Sequence, residues 1–376
     1  MALEGKHGVQ LWPGLMELFI LLFADDLSLL SSTPTGLQNQ LNLLTTACTN
    51  IGLEINSEKT KVMVFRKGGF LGKSEKWFIG SEQLEVVNSY EYLGFTFTTT
   101  MSAFQSAKHS AVKGKRASAD IVRALKCIDS MTRETFFKLF DTIVQPTILY
   151  ASEVWGLLHT ENPSEKVHLY ACKKFLGVPV RTPNDMVYGE LGRYPLAVNC
   201  YVRTLKYWFR LVKMEICRIP KQAYLLLSNL DEQGKTNWAS KVRVLLETTG
   251  FGYVWLNQGV GNERHFLLAF KQRAVDVVQQ EWFSGMMNSS RFQTYCSFKS
   301  VLEPERYFTD VRIKCFRDAL VRFRLGVSEI CTHKNRFIKN ITEGLNDCPF
   351  CPGITEDEIH FLFHCPAYAQ IQFVQL

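Results

Sequence analysis

Apolar and polar positions alternate differently in two stretches of the chain. Over the first hundred residues the apolar runs are short. Leu18 to Ala24 is a continuous apolar run of strand length, Asp25 and Asp26 interrupt it, and Leu27 to Ser31 returns. That pattern predicts a β-hairpin turning at the two aspartates. Ser31, Ser32 and Thr33 ahead of Pro34 mark a loop and then a helix start. Leu37, Leu41, Leu44 and Cys48 recur at helical spacing, predicting an amphipathic helix over 35–50 that Gly52 closes. Lys61 to Phe65 alternates toward a strand. Trp77 to Ile79 and Gln83 to Val87 flank Gly80 and Ser81 as a hairpin, and Tyr92 to Thr98 reads as one further strand.

After Met101 the period changes. Helical patterns run over 102–126, 131–145 (ending before Pro146), 162–175, 196–217, 236–248, 263–283 and 308–325. Pro and Gly residues such as Pro183, Pro195, Pro220 and Gly250 punctuate them. The expected class is α+β, in three regions: a mixed segment over 1–100, a helical segment over 101–345, and a small Cys/His unit over 346–376.

Composition narrows the class. With 376 residues, 46% hydrophobic and 21% charged, the chain is an ordinary folded protein rather than a disordered one. The formal charge of +7 tolerates a polyanionic partner without demanding one. Most cysteines are scattered among apolar neighbours, as at Cys48, Cys127, Cys172 and Cys200, which suits a reducing compartment, nuclear or cytoplasmic. The apolar run at Leu18 is too short to cross a bilayer and ends in two aspartates, so neither a signal peptide nor a membrane span is expected.

Candidate chemistry sits at three places. The first is Phe23-Ala24-Asp25-Asp26, two adjacent carboxylates between apolar strands. Burying them unpaired is expensive, and a divalent cation such as Mg²⁺, which favours oxygen ligands, resolves the conflict. An ordinary solvated turn is the competing reading. The second is the string Cys348-x2-Cys351-x8-His360-x4-Cys365. Two thiolates two residues apart can grip one tetrahedral Zn²⁺, and a unit this small draws much of its folding energy from the metal. His360 and His364 share a helix face, so a Cys2His2 set using His364 stays open, and Cys365 fits only where the helix ends before it, as Pro366 suggests. The third is basic helices. Lys108, Lys113, Lys115, Arg116, Arg123 and Lys126 crowd one segment against a single Asp120. Arg312, Lys314, Arg317, Arg322 and Arg324 form another. Either set could meet backbone phosphates or simply be solvated.

The order of these motifs resembles the palm of LINE-type (non-LTR retrotransposon) reverse transcriptases. Phe23 to Asp26 matches the catalytic Asp-Asp turn. Asn56-Ser57-Glu58-Lys59-Thr60 matches the next motif, and Tyr92-Leu93-Gly94 the primer grip. The resemblance continues through Leu139 to Pro146, Leu149 to Trp155 and Gly189 to Pro195 to the terminal zinc motif. It implies a partial palm, then a helical thumb and extension, then a zinc knuckle. It implies Mg²⁺ on Asp25 and Asp26, with Asp25 the surer ligand. Lys59 would lie near the incoming nucleotide's phosphates, and Tyr92, Leu93 and Gly94 would support the primer end. Cys348, Cys351, His360 and Cys365 would be the zinc ligands. RNA and DNA are the implied partners.

One departure from the family limits the expected activity. A working palm needs a further aspartate on an earlier strand, a template-binding segment and a fingers domain, all ahead of the Asp-Asp turn. Only 22 residues precede Phe23, none is Asp, and the acid nearest the strand is Glu17. Two carboxylates cannot hold two metals, each of which needs several ligands. The chain alone is therefore expected not to polymerise DNA, with an upstream fragment as a possible complement. A non-catalytic nucleic-acid-binding protein is the alternative.

Overall fold

The structure, a computed structural model, describes residues 8–10, 17–66, 68–72, 75–128, 131–157, 163–289, 292–335, 338 and 344–369. It is mixed α+β, with its strands in the first hundred residues and at the C-terminal end. The chain divides into two compact units. One comprises residues 1–112, 149–163 and 197–273, the other 113–148, 164–196 and 274–376.

The first unit opens with β1 (Val9–Gln10) paired to β2 (Glu17–Leu18), then the hairpin β3 (Ile20–Phe23) and β4 (Asp26–Leu29). Helix α1 (Pro34–Asn50) follows. Thr33 caps it by accepting from the Gly36 N–H, and Pro34 stands at its first turn, where a missing N–H does no harm. Gly52, with φ +72°, lets the chain leave the helix, and the Leu53 N–H returns to the Cys48 carbonyl at 2.8 Å. Next come β5 (Lys61–Val62), β6 (Phe78–Ile79), β7 (Glu82–Gln83), β8 (Glu85–Val86), β9 (Ser89–Tyr92) and β10 (Phe95–Thr98). β5 pairs with β8 in parallel, β6 with β7 and β9 with β10 antiparallel. The core here is Leu41, Val62, Trp77 and Leu84, with Leu29 and Leu37 packed against it. The Trp77 indole N–H donates to the Pro34 carbonyl at 3.0 Å, and Gln38 both donates to and accepts from the Phe78 backbone, tying α1 to β6.

Two expectations are corrected in this segment. Tyr92 to Thr98 is not one strand. β9 and β10 form a hairpin, and Leu93 and Gly94 are its two-residue turn, with φ +50° and +76°. A turn with both central residues at positive φ matches the twist of paired strands, and glycine meets that demand without strain. Likewise the turn of the first hairpin is Ala24 and Asp25. Asp26 is the first residue of β4, opposite Phe23.

Helices then dominate: α2 (Phe104–Cys127), α3 (Arg133–Leu139), α4 (Gln145–Ile148), α5 (Ser152–Trp155), α6 (Pro163–Leu176), α7 (Asn184–Leu191) and α8 (Ala197–Lys213). Pro146 does not stop the helix it was expected to end. A wide π turn over Phe140–Val144 shifts the hydrogen-bond register ahead of it. The Gln145 N–H reaches the Phe140 carbonyl, and the chain runs on through α4. Pro220 likewise opens a helix rather than breaking one: α9 (Ile219–Glu232) carries it in the first turn. α10 (Trp238–Thr248) starts at an Asn237–Ser240 capping box, and α11 (Gly252–Leu256) and α12 (Glu263–Met287) follow. Trp208, Trp255, Val242 and Phe270 fill the helical core of the first unit, and the Trp208 indole donates to the Tyr224 hydroxyl at 3.0 Å.

In the second unit α13 (Gln293–Cys296), α14 (Tyr307–Asp310), α15 (Lys314–Arg324) and α16 (Cys331–Asn335) precede the hairpin β11 (Asp347–Cys348) and β12 (Cys351–Thr355). The helix expected over 308–325 is therefore two, α14 and α15. Glu190 is fully buried there and takes both a salt bridge from Arg324 at 3.0 Å and the Tyr307 hydroxyl. A second, partly exposed network joins α6, the segment after α7 and the π turn. The Arg193 guanidinium grips Asp141 with two bonds of 2.8 and 2.7 Å, and His168 meets Glu165 at 2.8 Å.

Candidate active site and metal centre

Asp25 and Asp26 stand at the tip of the first hairpin, and both are exposed. Neither carboxylate has a hydrogen-bond or ion-pair partner among the described residues. Ala24 takes φ +52°, a left-handed conformation that costs an alanine roughly 1 kcal/mol and turns the chain sharply between Phe23 and the acids. The face beside them is apolar and bare: Leu22 is 69% and Phe23 62% exposed. β4 lies on the other side, where Leu29 joins the core of α1. The geometry thus offers two unpartnered carboxylates on a rigidly turned hairpin. Glu17 does not join them; its carboxylate accepts the Gly8 N–H at 3.3 Å.

Lys59 lies on an exposed loop whose backbone is fixed from two sides. The Asn56 side chain accepts the Lys59 N–H at 2.9 Å, and the Tyr90 hydroxyl donates to the Lys59 carbonyl at 3.2 Å. Tyr90 belongs to β9, so the loop that carries Lys59 is pinned to the strand leading into Tyr92, Leu93 and Gly94.

That second hairpin is itself held in place by residues the sequence reading passed over. The Tyr150 hydroxyl donates to the Leu93 carbonyl at 2.6 Å. A side chain on Gly94 would put its Cβ 3.2 Å from the Tyr150 ring, so both the positive φ and the packing call for glycine. From α2, His109 approaches Thr96 at 3.1 Å and Glu91 at 3.4 Å. The sequence gives no sign of this clamp: Tyr150 stands in an aromatic-rich string far from the turn.

The basic segments part company. Lys108, Lys115 and Arg116 are exposed on α2, and Arg123 pairs with Asp120. On α15, Arg324 is committed to Glu190 and Glu305, and Arg322 donates to the Gly177 carbonyl at 3.1 Å. Arg324 serves the interior, whereas Arg322 is exposed, Lys314 and Arg317 are half-buried, and Arg312 is exposed just ahead of the helix.

Cys348, Cys351, His360 and Cys365 converge, with one potential ligand atom from each lying within 4.8 Å of the others. The β11–β12 hairpin brings the first two together. A π turn over His360–His364 supplies His360, and the chain becomes extended at Cys365, ahead of Pro366. His364 is exposed and outside the cluster. The His360 Nε2 is buried without a partner, and the Cys348 and Cys365 sulfurs stand 3.8 Å apart. A tetrahedral ion with Zn–S bonds of ~2.3 Å has S···S edges of ~3.8 Å, so the residues fit such an ion. Burial raises the Cys348 thiol, but the Phe350 N–H, His360 and Cys365 together hold it below its usual range. Burial and the two neighbouring sulfurs push Cys351 up to about 11, a crowding of thiols that a cation relieves.

Residues 4–97 match the family described as reverse transcriptase (RNA-dependent DNA polymerase). That span holds both hairpins, Asp25, Asp26, Lys59 and the Tyr92 to Gly94 turn. That quarter of the chain is similar in sequence to reverse transcriptases. A transposon-derived protein of Caenorhabditis elegans is 34% identical to it over 192 residues, covering 49% of this chain and 64% of that protein. The chain thus spans less than two thirds of the length of this curated relative. No solved structure matches it. Nucleic acid is the substrate class of the reverse-transcriptase family, and among the described residues no helix is long and apolar enough to cross a membrane.

Proposed function

We propose that this chain belongs to a LINE-type reverse transcriptase, an RNA-directed DNA polymerase acting on RNA and DNA. The observation that carries the reading is the hairpin tip. Inside a reverse-transcriptase match, two adjacent, unpartnered carboxylates project from a sharp turn next to an apolar face. In a complete polymerase Asp25 and Asp26 hold Mg²⁺, which aligns the attacking hydroxyl and stabilises the leaving pyrophosphate. Asp25, in the turn, is the principal ligand. Lys59 meets the nucleotide's phosphates, and the Tyr92–Leu93–Gly94 turn seats the primer end. The 376-residue chain by itself is inactive, because two carboxylates do not complete a two-metal site, and a fragment supplying fingers and the missing aspartate restores it. Primer extension measured with and without such a fragment tests this. Extension only in its presence is the expected result, and no rescue by any polymerase fragment counts against it.

The Cys348, Cys351, His360 and Cys365 cluster binds Zn²⁺ in this reading and fixes the C-terminal fold. Metal analysis of the purified chain is expected to find one zinc per chain. A second reading, a non-catalytic nucleic-acid-binding protein, draws on the exposed Lys108, Lys115 and Arg116 of α2. RNA binding that weakens steeply with salt, with no polymerase activity under any complementation, would favour it. Either protein works in the nucleus or cytoplasm in this reading, a reducing setting that suits its scattered cysteines.

A further inference from the structure

The ligands of the terminal cluster are not all held in the same way. Cys348 and Cys351 face each other across the β11–β12 hairpin, whose own ladder fixes them. His360 instead rides on a short helical turn that begins at Glu358. A helix this short is not stable by itself. Asp357 caps it, its side chain accepting the His360 N–H at 2.7 Å. The cap fixes where the turn starts. Where His360 points depends on how the turn is rotated about its own axis, and that needs a further anchor.

The anchor comes from α16, an element that carries none of the four ligands. His333 of α16 is 3% exposed, and both its ring nitrogens are engaged. The Nε2–H donates to the Glu358 carboxylate at 2.9 Å, and Nδ1 meets the Ser328 hydroxyl at 2.7 Å. The ring also meets Phe323 edge-on at 6.0 Å, and Phe323 packs at 5.9 Å on Phe361, the neighbour of His360. Buried Glu356 makes a parallel tie. Its carboxylate accepts the Cys331 N–H at 2.7 Å, and its carbonyl accepts the Thr332 hydroxyl at 2.9 Å. The Asn335 amide donates to the Leu345 carbonyl at 2.7 Å, ahead of β11. α16 thus grips the metal module before Cys348 and again before His360, all within the second unit.

We propose that His333 is a positioning residue of the metal centre: its bond to Glu358 sets the direction of the turn that carries His360, so that metal uptake and closure of α16 on the module are one coupled event. The inference rests on the zinc reading of the cluster. Groups one step out from a metal orient its ligands, and losing one costs about ten- to a hundredfold in affinity. Such coupling is reciprocal, so the bound ion steadies α16 in turn.

Chelator competition for Zn²⁺ and the visible spectrum of the Co²⁺-loaded full chain test this. His333→Ala should weaken Zn²⁺ binding by about tenfold or more and alter the tetrahedral Co²⁺ bands, because His360 is misdirected while the three thiolates stay. Glu358→Ala should act in the same direction, and the double variant should lose less than the sum of the two, since both act through one bond. Glu358→Gln keeps an acceptor and should recover most of the affinity. In the wild type, Zn²⁺ should slow hydrogen exchange at the Cys331 and Thr332 amides, which donate to Glu356. Glu358 is partly exposed, so its two variants carry the test if His333→Ala folds poorly. A wild type that takes up Zn²⁺, with affinity and Co²⁺ spectrum unchanged in the variants, overturns this proposal alone, and so do losses that simply add in the double variant. A wild type that takes up no Zn²⁺ overturns the zinc reading and this proposal with it.

Discussion

The hydroxyl of Tyr150 donates to the carbonyl of Leu93 at 2.6 Å, and the Tyr150 ring covers Gly94, locking the two-residue turn that the proposed function assigns to the primer end. The clamp comes from 57 residues further along the chain. Tyr150→Phe removes one hydrogen bond and should lower stability by about 1 kcal/mol. Gly94→Ala meets both the positive φ and the Tyr150 ring, and should cost about 2 kcal/mol or more. Urea unfolding of the two variants side by side checks the order. Equal losses would mean the ring does not confine the turn.

Gly114 of α2 lies against Ile148, and a Cβ there would fall 1.9 Å from the Ile148 Cγ2. Gly114→Ala should therefore destabilise by roughly 1–3 kcal/mol although alanine favours helix, and adding Ile148→Val should not restore stability unless the clash is with that methyl's neighbours. Adding Ile148→Ala, which removes the clashing group, should recover part of the loss relative to Ile148→Ala alone. Thermal melts of the double-mutant cycle give the coupling; zero coupling would refute the contact.

Glu165 sets an acid limit on the second unit. Burial would raise its carboxyl, yet His168, the Tyr188 hydroxyl and the Leu196 N–H hold it below the ordinary value of 4.5. A carboxylate with a depressed folded pKa stabilises the fold above its unfolded pKa and loses that contribution as pH falls through the folded value. Stability should thus decline below about pH 4.5 in the wild type. Glu165→Gln should be less stable at neutral pH by roughly 2–4 kcal/mol and show a flatter acid limb. Denaturant midpoints between pH 3 and 7, values chosen on the order of the carboxylate range, test it; parallel curves for the two proteins would contradict the assignment.

At the metal cluster the orphaned His360 Nε2 and the exposed His364 predict opposite outcomes. His360→Ala should lower zinc affinity by on the order of a hundredfold or more, and His364→Ala should leave it within about twofold. A chelator competition assay reads both. A loss on His364→Ala equal to that on His360→Ala would point to a Cys2His2 set instead.

Much of this was legible in the residues. The spacing of Cys348, Cys351, His360 and Cys365 marks a metal candidate while leaving His364 open, because ligand spacing is a local property, and α1 is legible because Thr33, Pro34 and Gly52 bracket a helical period. Turn positions were read one residue late at Asp25 and missed at Leu93. Neither Ala24 nor Leu93 is a residue that favours positive φ, and only the strand register imposes it. Pro146 misled for the opposite reason: it signals a break, yet a π turn ahead of it lets the chain run on. Arg324 looked like a surface cation because nothing nearby in sequence announces Glu190, its buried partner from α7. Contacts over such separations belong to packing, which a periodic pattern does not encode.

The central claim is that the hairpin tip is half of a magnesium site. Its most direct test is Mg²⁺-dependent primer extension by the chain combined with a fragment carrying fingers and the missing aspartate, comparing wild type, Asp25→Asn and Asp26→Asn. The account predicts extension by the wild type and a loss of roughly a thousandfold or more on Asp25→Asn, with Asp26→Asn less severe. Extension that survives Asp25→Asn undiminished would contradict it.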